Sequence, residues 1–148
     1  MQFICDAPDR KSWFRIETEF EADQESALMD HGVDKHFRRA RECAIQTYKP
    51  TGTHFVEQNI GLEAHVGQDM PVFLTLRDGD GNGLATAMLP PGGKEKAVFR
   101  KIIVGHGNSD PFPEHQAAID ALGKFFGITV DKDVCYPYSR RAETAMAD

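Results

Sequence analysis

The stretch from Pro71 to Gly107, PVFLTLRDGDGNGLATAMLPPGGKEKAVFRKIIVGHG, decides the fold. It holds three apolar runs, Val72 to Leu76, Leu84 to Leu89 and Val98 to Val104, each bounded by Gly, Pro, Asp or Asn. Short apolar runs punctuated by turn residues are strands. The connector Arg77 to Gly83 is rich in residues that tolerate positive φ, so it folds the second run back onto the first. The connector Pro90 to Lys96 carries two prolines, which cannot donate to a central ladder, and charges that favour solvent. The stretch therefore predicts an antiparallel meander that leads through Gly105-His106-Gly107 into a last helix.

Upstream, Gln2 to Cys5 reads as a short strand closed by the turn cluster Asp6 to Asp9. From Trp13 to Phe20 the residues alternate, which places Phe14, Ile16, Thr18 and Phe20 on a core face and Trp13 among charges on the other. A Trp in that position either lies under a loop, covers neighbouring stems or anchors a subunit interface. Glu21 to Lys49 predicts helix with a break near Asp30-His31-Gly32. Val33, Phe37, Ala40, Ala44 and Tyr48 form its apolar stripe, and Asp34, Arg38 and Glu42 form a charged ladder opposite. Thr53 to Val56 and Leu62 to Val66 read as weak strands. A helix from Glu114 to Phe126 ends at Gly127, Ile128 to Val130 reads as an edge strand, and Val134 to Tyr138 tucks against the body.

These elements predict an α+β fold, a mostly antiparallel sheet of five to seven strands with two main helices packed on one face. Residues 1–138 form a single domain and 139–148 a frayed tail. The net charge of -6 opposes long-range attraction to nucleic acid or anionic membrane. Three cysteines, Cys5, Cys43 and Cys135, lie far apart without metal or disulfide spacing. With no secretory-type start and no membrane-length apolar run, a cytoplasmic location is expected.

Two segments offer site chemistry. Asp78-x-Asp80-x-Asn82-Gly83 matches the first half of a calcium loop, but Leu89 stands where the bidentate glutamate belongs, so a hairpin turn accounts for the same residues. The loop after the third strand brings His106, Asn108, Ser109 and Asp110 to a helix start, with His115 just beyond, and these five form the candidate ligand site. His106, Asp110 and His115 could alternatively hold a divalent ion or transfer protons. The competing structural reading makes Ser109 or Asp110 a helix cap, His115 a partly buried first-turn residue and His106 an exposed loop residue. The chain has no Gly-x-Ser-x-Gly elbow, His-Glu-x-x-His pair or Walker-type phosphate loop, and no cofactor is called for. The sequence thus reads as a non-catalytic module that binds a small molecule or a protein partner, with a homodimer expected. The alternative is a metal-assisted or acid-base enzyme built on the Gly-His-Gly loop.

Overall fold

The computed structural model of the chain describes residues 1–50 and 54–139. Six strands form one sheet in sequence order: β1 (Gln2–Ala7), β2 (Lys11–Arg15), β3 (Val72–Arg77), β4 (Gly83–Leu89), β5 (Lys101–Val104) and β6 (Cys135–Tyr136). Neighbours pair antiparallel from β1 to β5, and β6 runs parallel to β5. Four helices complete the fold: α1 (Glu19–Met29), α2 (Val33–Thr47), α3 (Phe55–Asp69) and α4 (Phe112–Phe126). The α+β class and the mostly antiparallel sheet are as the sequence predicts.

The layering differs from the expectation that the helices share one face. Along β3, Val72, Leu74 and Leu76 pack with Phe112, Ala118, Ile119 and Leu122 of the α4 segment, whereas Phe73 packs with Val33, Phe37 and Ala44 of α2. Alternate side chains point to opposite faces of a strand, so α4 covers one face and α1 to α3 the other. A strand covered on both faces has no polar side, which is why the first five residues of β3 are all buried.

Strand β2 follows the same logic and corrects the sequence reading of Trp13. Its side chain is 0% exposed and its indole Nε1 donates to the Ala118 carbonyl at 2.8 Å. Trp13 is thus the core anchor of α4, wholly enclosed within one chain, and offers no surface to a second subunit. The alternation around it sends Trp13 into one core and Ile16, just past the strand, into the other. The strand also stops at Arg15, because Thr18 and Glu21 form a capping box that starts α1. Phe20 consequently lies on the outside of a helix, 69% exposed.

The predicted break at Asp30-His31-Gly32 separates α1 from α2, with Asp30 in the left-handed region at φ 52°. Val33, Phe37 and Ala44 of the predicted stripe are buried, and Phe37 meets Phe73 edge to face at 5.2 Å. Arg38 does more than serve the ladder: besides Asp34 it binds both carboxylate oxygens of Asp23 on α1, at 2.5 and 2.7 Å.

Residues 55–69 are helix, not strands. Leu62, Val66 and Met70 recur every fourth residue and face the core, a helical period that the scattered His and β-branched residues disguised. Thr53, at the start of the first expected strand, lies outside the described residues, as does the expected frayed tail beyond Ser139. The third strand of the meander is shorter than expected, since Phe99 N–H turns back to the Lys96 carbonyl and Val98 is exposed. Ile128 to Val130 form no strand, although Val130 is buried. Gly127 closes α4 at φ 72°, a conformation that glycine adopts without strain. Among the described residues no helix is long and apolar enough to cross a membrane.

Candidate functional site

Helices α1 to α3 do not reach the far half of their sheet face. The ladder sets Thr86 beside Val104, Met88 beside Ile102 and Ile102 beside Tyr136, so these side chains share that open face. They floor a cavity of about 470 Å³. Its walls are the α1–α2 elbow with His31 and Gly32, the first turn of α2 with Val33 and His36, the Asn108 turn, and Arg100 with Pro137. Phe73 closes the inner end.

The polar wall is fixed from behind. Glu25 of α1 is 0% exposed, and its carboxylate accepts from Arg77 Nη2 at 2.7 Å and from Thr86 Oγ1 at 2.6 Å. Arg77 Nε also donates to Thr75 Oγ1 at 3.0 Å. Thr86 therefore spends its single proton on Glu25 and must accept from His31 Nε2, 2.8 Å away. The Val33 N–H donates to His31 Nδ1 at 3.4 Å, so the two contacts agree on a neutral ring protonated at Nε2. Burial pushes the His31 pKa below its ordinary value. The nearby carboxylates of Glu25 and Asp34 oppose that shift and His106 adds to it.

The N-terminus of α2 abuts the cavity, but its first N–H groups are engaged. Val33 N–H is held by His31, Asp34 N–H donates to Ser26 Oγ at 2.8 Å, and Lys35 N–H donates to the Gly32 carbonyl at 3.2 Å. The exposed charge at the site is Arg100, whose guanidinium lies over the Tyr136 ring at 5.1 Å. A planar cation held on an aromatic face keeps its hydrogen-bonding edge free for an anion.

Of the five residues singled out from sequence, only Asn108 lines this cavity. His106 is exposed near it and acts on His31 through charge. The Ser109 carbonyl accepts from Gly105 N–H at 2.7 Å and from the Tyr138 hydroxyl at 3.4 Å. Asp110 accepts from the Phe112 N–H at 2.9 Å in a turn just ahead of α4, whose N-cap is Pro111, and binds the Lys132 ammonium. His115 lies away from the cavity, with Nδ1 3.2 Å from Lys11 Nζ, and burial followed by the Lys11 charge lowers its pKa. His106, Asp110 and His115 thus do not converge on the concave surface. Among the described residues no group of three His, Cys, Asp or Glu side chains stands close enough to hold a metal ion.

In the hairpin connector, Asp78 Oδ1 accepts from the N–H groups of Asp80 and Asn82, both at 2.9 Å, and Oδ2 accepts from Asn82 Nδ2 at 3.1 Å. The first half of the calcium-like motif is thereby a self-satisfied turn. Cys135 is buried, and burial pushes its thiol up to about 12, so it is no nucleophile at neutral pH.

His31, Thr86, Arg100 and Tyr136 escaped the sequence reading as site residues because they come from four separate segments that only the strand pairing joins. One signal was present: a histidine set in a helix break, where side chains are held by two elements at once. Comparisons with family models, with curated proteins and with solved structures find no match for the chain.

Proposed function

We propose that the chain is a non-catalytic module that binds a small molecule in the cavity between the α1–α2 elbow and the open half of the sheet. The observation that carries this reading is the cavity itself, about 470 Å³ with the apolar side chains of Phe73, Met88, Ile102 and Val104 in its lining. Small-molecule sites are concave, mostly apolar and furnished with a few polar groups that set orientation, and the cavity has each of these properties. Both His31 nitrogens are engaged within the protein, which favours a wall residue over a general base. The enzyme reading on His106, Asp110 and His115 gains no support, since Asp110 and His115 are engaged elsewhere and none of the three lines the cavity.

The test uses 1-anilinonaphthalene-8-sulfonate, whose fluorescence rises in apolar sites. The native protein is expected to bind it saturably, and Val104→Trp, which fills the floor from a partly exposed strand position, should abolish that binding while the far-UV spectrum and melting cooperativity stay native. Saturable binding that survives Val104→Trp, or no binding by the folded protein, would contradict the reading.

A further inference from the structure

We infer that the ligand of this cavity is an organic monoanion, an aliphatic or aromatic carboxylic acid whose apolar body lies on Met88, Ile102 and Val104 and whose carboxylate meets Arg100. The inference rests on the small-molecule reading above and adds the chemistry of the ligand.

Charge is its first support. The chain carries 23 Asp and Glu against 17 Lys and Arg, yet among the described residues no carboxylate lines the cavity, while Arg100 does. Asp30, next to His31, sets its carboxylate near Gly107 and does not line the cavity, and two acids behind the polar wall are committed within the chain. Glu25 is sealed behind Thr86 and paired with Arg77, and Asp34 is held by Ser26 and Arg38. A lining with one arginine and, among the described residues, no acid suits an anion in a chain of net charge -6.

Preorganisation is the second. Arg38, Arg41 and Arg77 bind carboxylates of the chain itself, but among the described residues Arg100 has the Tyr136 ring and no acid partner. A guanidinium presents a fork that matches a carboxylate with two parallel N–H donors. The stack on Tyr136 holds the guanidinium just before the start of β5, and Asn108, beyond the other end of that strand, adds a neutral polar group to the lining. One full positive charge, beside a His31 held neutral by its two hydrogen bonds, fits one negative charge better than two.

Isothermal titration with decanoate below its micelle concentration, and with decanol as its uncharged counterpart, tests the inference. The native protein should bind decanoate about tenfold more tightly than decanol, the size expected for charge-assisted hydrogen bonds to one guanidinium. Arg100→Gln should remove that preference and leave decanol binding unchanged, and Arg100→Lys, which keeps charge without the fork, should fall between. Arg100 is exposed, so both variants are expected to melt as the native protein does. Equal affinity for acid and alcohol, or decanoate binding indifferent to Arg100→Gln, overturns the anion inference and leaves the cavity reading standing. Failure of both to bind also overturns it, and the fluorescent probe with Val104→Trp then decides separately whether the cavity binds any small molecule.

Discussion

Trp13→Ala is expected to destabilise the protein by about 5 kcal/mol, at the upper end for removal of a buried aromatic ring. The indole is wholly enclosed by Leu74, Leu76, Ile119 and their neighbours, in a core cluster that joins β2 and β3 to α4. Its loss leaves a cavity between two layers that rigid elements cannot close, and it removes the bond from Nε1 to the Ala118 carbonyl. Trp13→Phe keeps most of the volume and should cost much less, since a net hydrogen bond is worth about 1 kcal/mol. Urea melts of the two variants check this. A loss below about 2 kcal/mol for the alanine variant would mean that α4 is not held to the sheet through this residue.

Glu25→Ala is the second large effect, about 3 to 5 kcal/mol, because it strands a buried partner charge. Arg77 would keep its guanidinium in a partly buried place without the carboxylate 2.7 Å away, and Thr86 would lose the acceptor of its proton. Replacing the pair together, Glu25→Leu with Arg77→Met, should recover much of the loss, since a buried ion pair exchanged for apolar bulk is often close to neutral. The variant also has an electrostatic signature. The Glu25 charge favours the protonated form of His31, so its removal should move the His31 titration to still lower pH in imidazole proton spectra. A His31 titration unchanged in Glu25→Ala would break the link between the buried carboxylate and the cavity wall.

What was legible in the sequence was local. The three runs from Val72 to Val104 mark the centre of the sheet because each strand pairs with the next in sequence, and the stripe of α2 and the Gly127 cap are visible from spacing. Trp13 was misplaced because alternation around it was read as inside against outside, when the strand separates two cores. Helix α3 was missed because its inward residues Leu62, Val66 and Met70 are diluted by Phe55, Val56 and Ile60, which are 78%, 66% and 67% exposed. The candidate site was the least legible part. His31, Thr86, Arg100 and Tyr136 meet only because β4 pairs with β5 and β5 with β6, and no spacing along the chain encodes that register. The Gly-His-Gly loop stands out as a strand-to-helix junction, yet Ser109 and Asp110 close the turn ahead of α4. Only Asn108 is left to line the cavity.

Methyl-labelled spectra of the protein titrated with decanoate test most directly the proposal that ligand binds on the uncovered half of the sheet face opposite α4. Shifts are expected at the methyls of Met88, Ile102 and Val104, which line the cavity, with Ile103, Ile119 and Leu122 of the opposite core unmoved. Shifts confined instead to Ile60 and Val56 on the exposed face of α3, or to the α4 core, would contradict it.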